Sequence, residues 1–230
     1  MPSLPPSSAF TASTVSEAQF KTAISTQREF LAGLLGTDGT PAAARVQLGV
    51  PDSPASNAGT QTIYLPAASL TSRQGSDGAT LATLDLAGNA TVVPVLEFDP
   101  ATTQYAQFSV RMPEGWDETS GFTAQFIWAH PAAATNFGVA WSVRAKAVID
   151  GGALDGAWSI PVQVNDTGGV TDTLYRSAIS ASVTPAGTRS PGCVIAFEFA
   201  RVAGDATNDT LAVVARLRGV VIQYQSSSLS

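Results

Sequence analysis

The side chains that could perform catalysis in this chain are few and widely spaced. A catalytic triad or a zinc site needs histidine or cysteine beside suitable partners, yet the chain has one histidine, His130, and one cysteine, Cys193. His130 ends an apolar segment just before Pro131, and Cys193 opens another apolar segment. We therefore expect His130 to lie at a strand end or turn, and Cys193 to be a small buried side chain.

Aspartates offer the strongest remaining case for chemistry. Two carboxylates at a suitable separation could hydrolyse a glycosidic bond, and several could bind calcium. However, aspartate is common in turns because its side chain bonds the nearby backbone, and no EF-hand spacing is present. We predict no catalytic residue, no metal site and no cofactor, and hence no enzyme. The aspartates in predicted loops or at strand ends are Asp150, Asp155, Asp166, Asp172, Asp205 and Asp209.

Tryptophan side chains could stack on sugars, and the chain has four of them: Trp116, Trp128, Trp141 and Trp158. Trp128 and Trp141 alternate with other large apolar residues, which indicates a place in the core. Trp116 lies in the loop MPEGWD, so we expect it to be exposed and to be the contact for a surface glycan. A loop tryptophan can also close the end of a sandwich.

Composition excludes several classes of partner. Charged residues make up 13% of the chain, against roughly 25% in ordinary soluble domains. The net charge of −6 and the absence of a basic run argue against nucleic acid as a partner. No apolar run approaches the roughly 20 residues of a membrane helix, and the start MPSLPPSSAF lacks the regions of a signal peptide. A protein made in the cytosol and released in an assembled particle would combine these features.

One long segment, Thr14 to Gly49, predicts helix. Thr14 and Glu17 fit a capping box at its start. Gly36 ends this helix, and a second short helix is predicted from Pro41 to Gly49. An apolar stripe with one polar member runs along the first helix at spacings of four and three: Phe20, Ile24, Gln27, Leu31 and Leu34.

The stripe could pack on the chain's own β domain or on copies of itself. An isolated helix of this length is marginal in water without a partner, and Gln27 is what a register-setting polar layer would look like. We therefore predict that the five stripe residues join several copies of the chain. The predicted organisation is an extended arm at 1–13, a helical module at 14–50, a linker at 51–60 and a β domain at 61–230.

Strict alternation of apolar and polar residues dominates the β domain. Such alternation indicates sheets with one buried and one wet face, and many short strands between turns are typical of a sandwich. The predicted fold is a jelly-roll-like antiparallel β-sandwich behind the helical module. Residues 66–90 allow no firm assignment. The predicted strands are Gln61–Leu65, Tyr105–Met112, Phe122–Ala129, Phe137–Ala147, Trp158–Val164, Cys193–Arg201 and the stretch Leu211–Tyr224.

The last predicted strand changes its buried face part way along. From Leu211 to Leu217 the apolar residues occupy odd positions, and from Val220 to Tyr224 they occupy even positions. A strand needs an extra residue to make this change, so we predict a β-bulge at Gly219.

Two parts of the chain resemble known phage proteins. The segment SEAQFKTAISTQREFLAGLLGTDGTPAAARVQLG resembles N-terminal modules of tail-fibre and head-fibre proteins of tailed phages and prophages. The segment from FDPATTQYAQFSVRMPEGWD to DTLAVVARLRGVVIQY resembles a β-sandwich domain of phage and gene-transfer-agent spike or fibre proteins. The marks are the MPEGWD loop, the strand GVAWSVRAKAV and the ending LAVVARLRGVVIQY.

The resemblance implies a virion component that oligomerises, commonly as a trimer, and is attached to capsid or tail through its N-terminal part. The expected function is a structural fibre, spike or decoration whose outward loops could touch a host surface glycan. Two alternatives remain open from the residues. One is a lectin-like carbohydrate-binding sandwich, and the other is a glycan depolymerase.

Overall fold

The computed structural model describes residues 16–35, 59–131 and 137–227. The chain divides into two units, Met1–Ser56 and Asn57–Ser230. The predicted arm 1–13, the stop at Gly36 and the second helix Pro41–Gly49 lie outside the described residues, as does the predicted linker up to residue 58.

Helix α1 spans Glu17–Leu35 and is capped two residues later than predicted. The Ser16 hydroxyl accepts a hydrogen bond from the Gln19 N–H at 3.3 Å, and Gln19 Oε1 accepts one from the Ser16 N–H at 3.0 Å. This is a capping box formed by Ser16 and Gln19, whereas Thr14 of the predicted box lies outside the described residues. Glu17 instead pairs with Lys21 at 2.6 Å, one turn further along the helix.

The predicted stripe lies on an exposed face of α1. Phe20 is 55% exposed, Ile24 39% and Leu31 43%, and Gln27 is exposed between them. The side chain of Leu34 lies outside the described residues. Self-association through this stripe remains a prediction. Of the helices that the structure describes, none is long and apolar enough to cross a membrane.

Short strands form the second unit. They are β1 Gly59–Pro66, β2 Thr71–Ser72, β3 Thr80–Leu86, β4 Thr91–Phe98, β5 Gln104–Arg111, β6 Thr123–Ala129, β7 Phe137–Val148, β8 Val162–Gly168, β9 Tyr175–Arg176, β10 Val194–Arg201 and β11 Ala215–Ser226. A 3-10 helix, Ala67–Ser69, and strands β2 and β3 fill the region without a sequence assignment.

The strands form two antiparallel sheets with jelly-roll connectivity. The first sheet has the order β3-β4-β11-β6-β9, and β1 also pairs with β11. The second has the order β2-β5-β10-β7-β8. From β4 to β7 and from β8 to β11, successive strands alternate between the sheets, as in a jelly roll. The predicted fold class is confirmed.

The core lies between the inner faces of the two sheets. Alternation along each strand turns its large apolar side chains inward. Phe126 stacks on Trp141 with ring centroids 5.3 Å apart, and Phe98 meets Trp141 edge-on at the same distance. Trp128 and Trp141 are fully buried, which confirms their predicted place in the core.

The predicted bulge in β11 is confirmed. Its pairing with β6 shifts between Leu217, opposite Trp128, and Gly219, opposite Ile127. The extra residue lets Leu217 and Val220 both face the core, and both are fully buried. Two strands begin four residues later than predicted, β8 at Val162 and β11 at Ala215, whereas the other predicted starts lie within two residues of those observed.

β6 has one edge paired with β11. Its other edge is covered by the segment from β9 to Ser180, which is mostly not regular strand. Ser177 and Ser180 each exchange hydrogen bonds with this edge. Their hydroxyls accept from the N–H groups of Phe126 and Ala124, both at 2.9 Å. Their own N–H groups donate to the carbonyls of the same two residues at 2.9 and 2.8 Å. The edge therefore has its polar groups paired.

Candidate functional site

Trp116 is not the exposed aromatic that the sequence indicates. It is 1% exposed and stacks on Phe122 with ring centroids 5.4 Å apart. The MPEGWD loop folds back on the end of β11, where the Asp117 N–H donates to the Gln225 carbonyl at 3.0 Å. Because its ring closes the end of the core, Trp116 cannot stack on a glycan, and the predicted exposure is wrong.

His130 and Cys193 both lie in the interior. His130 follows β6, is fully buried, and packs edge-on against Phe137 with centroids 4.4 Å apart. Cys193 precedes β10 and is 5% exposed. The strand-end position of His130 and the burial of Cys193 are as predicted.

The aspartates have separate structural tasks. Asp166 accepts a hydrogen bond from Trp128 Nε1 at 2.7 Å, and Asp172 pairs with Arg216 at 3.1 Å. Hydrogen bonds from the Asn208 and Gln163 side chains lower the pKa of Asp205. In the part of the chain that the structure describes, no three His, Cys, Asp or Glu residues come together in a way that could hold a metal ion.

The outer face of the second sheet carries a different set of side chains. On the central strand β10, the outward residues include Ala196, Glu198 and Ala200, which lie between β5 and β7. Alanine leaves the sheet surface low on either side of Glu198. The result is two adjoining concavities, which we call the outer groove.

The larger concavity lies over Ala196 and has a volume of about 650 Å³. The walls of this concavity come from β5, from β7 and from the loop that follows β7. That loop places Trp158 beside the concavity. Among its lining residues are Gln107, Ser109, Lys146, Leu154 and Trp158. The smaller concavity, about 230 Å³, lies over Ala200 and is lined by Tyr105, Ser142, Arg144 and Pro161.

Glu198 is a buried carboxylate between the two concavities. Its side chain is 1% exposed although it points to the outer face. Arg144 Nε donates to its Oε1 at 2.7 Å, and Gln107 Nε2 donates to its Oε2 at 2.7 Å. A buried charge needs such partners, so Glu198 fixes the positions of Arg144 and Gln107 in the groove.

Two aromatic rings flank this polar centre. The Arg144 guanidinium carbon lies 5.8 Å from the Tyr105 ring centroid and 5.4 Å from that of Trp158. Lys146 Nζ lies 4.6 Å from the Trp158 centroid. Cations at these distances are attracted to the rings, so the aromatic side chains and the cations hold one another in place.

The arrangement is suited to binding. Flat aromatic faces beside a small number of fixed polar groups are the usual construction of a small-ligand site. A glycosidase needs two carboxylates facing the scissile bond. Here Glu198 is already engaged by Arg144 and Gln107, and Asp150 lines only the larger concavity.

Sequence reasoning missed the role of Trp158. The alternation around it predicts a strand, whereas it lies in the connection between β7 and β8. Pro161, directly before β8, could have indicated that the strand begins after Trp158, because proline commonly marks a strand's first residue or its boundary. The alternation of Arg144 and Lys146 along β7 did predict a polar outer face.

Comparison with known proteins finds no matching family model and no matching curated protein. Similar solved structures include the CBM22-2 xylan-binding domain of Xyn10C from Paenibacillus barcinonensis, at 10% identity and TM-score 0.43 over 71% of this chain and 99% of that one. CBM35 of Abf62 from Cellvibrio japonicus has 10% identity and TM-score 0.37 over 73% and 99%. The family 11 carbohydrate-binding module from Clostridium thermocellum has 10% identity and TM-score 0.29 over 75% and 90%.

Proposed function

We propose that the chain is a non-enzymatic carbohydrate-binding protein whose ligand lies in the outer groove of the sandwich. The observation that supports this most directly is the placement of Tyr105 and Trp158 on either side of Arg144, which the buried Glu198 holds in position. Sugars present apolar C–H faces that pack on aromatic rings, and hydroxyls that accept and donate hydrogen bonds. The groove offers both kinds of contact.

Preorganisation adds to the case. Binding loses free energy when rotamer-rich side chains must be immobilised on association. Arg144 and Gln107 are already fixed by Glu198, and Lys146 Nζ donates to the Leu154 carbonyl at 2.8 Å. These side chains therefore lose little further freedom when a ligand arrives.

A glycan array probed with the full chain tests this function. We expect bound glycans for the unsubstituted protein and loss of binding for Trp158→Ala. Tyr64→Ala is the matched control, because Tyr64 is an aromatic residue on the sandwich surface, 48% exposed on β1, which belongs to the other sheet. An unsubstituted chain that binds no glycan overturns the proposal, and so does full binding by Trp158→Ala.

We also propose a place for this binding protein: a structural fibre, spike or decoration of a phage-like particle, on head or tail, assembled as an oligomer through its helix. The supporting observation is the row of exposed apolar side chains on α1, formed by Phe20, Ile24 and Leu31. Other virion proteins would hold the N-terminal part, and a host surface glycan would occupy the outer groove. Antibody labelling of purified particles tests this, and particles that lack the protein contradict it.

A further inference from the structure

We propose that the outer groove selects acidic glycans, with a sugar carboxylate bound by Lys146 and Arg144 beside Trp158. This inference rests on the proposed carbohydrate-binding function and adds the ligand's chemical class. Some hydrogen-bond donors and charges in the groove already have partners within the protein, and the others are left for a ligand.

Lys146 has a charge with no carboxylate partner in the part of the chain that the structure describes. Its Nζ donates to the carbonyls of Leu154 and Gly156 at 2.8 and 3.4 Å. An ammonium group has three donors, so one remains. The carbonyls orient the group without cancelling its charge.

Arg144 has unused hydrogen-bond donors on the same face of β7 as Lys146. Residues two apart on a strand face the same way, so Arg144 and Lys146 both lie on the outer face of β7. Glu198 accepts from Nε and Nη2 of Arg144, at 2.7 and 2.5 Å. The Nη1 group is left for a ligand, and the side chain is 29% exposed.

The neighbouring arginines already have carboxylate partners within the protein. Arg73 pairs with Asp77 at 3.0 Å and also lies 3.9 Å from Glu198, and Arg111 pairs with Glu114 at 2.6 Å. Donors without a protein acceptor therefore meet at Lys146 and Arg144, and both cations contact the Trp158 ring. A sugar stacked on Trp158 would place a substituent within reach of both.

A carboxylate suits this pair better than a hydroxyl does. Hydrogen bonds between ionised partners are shorter than neutral ones and about twice as strong. The chain's net charge of −6 opposes an acidic ligand only weakly, because exposed charges beyond about 8 Å are screened at physiological salt. Asp150 lines the same groove but is exposed, so solvent reduces its repulsion.

The test is a glycan array on which each carboxylate-bearing glycan is printed beside its amidated form, together with neutral glycans. We expect the full chain to bind acidic members and to lose about tenfold or more in affinity for the amidated partners. Equal binding of the two forms, or binding of neutral glycans only, overturns this inference and leaves the proposed function intact. Binding of no glycan at all overturns both.

Substitution assigns the selectivity to Lys146. Lys146→Met keeps the apolar stem and removes the charge, and Lys21→Met is the matched control because Lys21 is the chain's other lysine and lies on α1. On the strongest acidic glycan we expect about a tenfold loss for Lys146→Met and none for Lys21→Met. Binding to a neutral glycan, where measurable, should be unchanged, which excludes a collapsed groove as the cause. Unchanged affinity of Lys146→Met for the acidic glycan contradicts the inference.

Discussion

Arg201 and Asp209 form a bidentate ion pair inside the sandwich. Arg201 Nη2 donates to Asp209 Oδ1 at 2.6 Å and Nε donates to Oδ2 at 2.9 Å, and the two side chains are 0% and 1% exposed. Arg201 Nη1 also donates to the carbonyls of Phe98 and Val213 at 3.2 and 2.7 Å, and Nη2 donates to that of Leu211. One guanidinium thus ties the connection between β10 and β11 to the end of β4.

Removing one partner of this pair should destabilise the sandwich strongly. Asp209→Ala leaves the Arg201 charge buried and uncompensated, a change that typically costs about 3–5 kcal/mol of unfolding free energy. Urea unfolding measures it. Asp155→Ala, at an exposed loop position, is the control and should change stability by less than about 0.5 kcal/mol. A similar small loss for Asp209→Ala would show that the pair is not needed.

A methyl group at the bulge should also be costly. A Cβ at Gly219 would lie 2.6 Å from the Leu65 carbonyl oxygen on β1, which is backbone and cannot easily move. We expect Gly219→Ala to lower the unfolding free energy by about 1–3 kcal/mol. Gly88→Ala adds the same atom where nothing lies within 4 Å. The urea-unfolding midpoint of this variant should therefore stay close to that of the unsubstituted protein. Equal midpoints for the two variants would refute the steric argument.

Acid should weaken the turn built on Asp205. The Asn208 side chain and then the Gln163 side chain donate to this carboxylate and hold its pKa below its ordinary value of 3.8. Because the folded pKa is the lower one, the contribution to stability is present above pH 3.8 and is lost as pH falls through the folded pKa. Carboxyl-carbon NMR should show Asp205 titrating below 3.8, and Asn208→Ala should raise that pKa. A midpoint at or above 3.8 in the unsubstituted protein would contradict the assignment.

The stripe on α1 predicts a change in molecular mass on substitution. Ile24→Asp places a charge in the proposed interface between copies. Light scattering should therefore report a lower molecular mass than for the unsubstituted chain. Ser25→Asp adds the same charge beside the stripe at an exposed position, and its mass should not change. Deleting residues 1–50 should likewise leave a folded sandwich that no longer assembles. If Ile24→Asp retains the full mass, the stripe contacts something other than its own copies.

Local pattern predicted much of the fold, because alternation along a strand is set by burial of one face. The strand β7 and the bulge at Gly219 follow from such patterns alone. The helix start did not, since Thr14-x-x-Glu17 and Ser16-x-x-Gln19 both fit a capping box and only the folded structure chooses between them.

The candidate site was less predictable than the fold. Whether a loop tryptophan is buried depends on where its loop ends in space, which no short pattern contains. Trp116 returns to the end of the core, and Trp158 reaches the outer sheet face. The outer groove also needs Ala196 and Ala200 to lie between taller neighbours, which depends on the pairing of β10 with β5 and β7.

The hydroxyls of Ser177 and Ser180, which bond to the edge of β6, affect how closely copies of the sandwich can be packed together. An open strand edge invites pairing with another chain, which leads to aggregation. Ser177 and Ser180 occupy the N–H groups that an incoming strand would need. Many sandwiches could therefore be held at high local density, as around the shell of a particle, without fusing along this edge into continuous sheets.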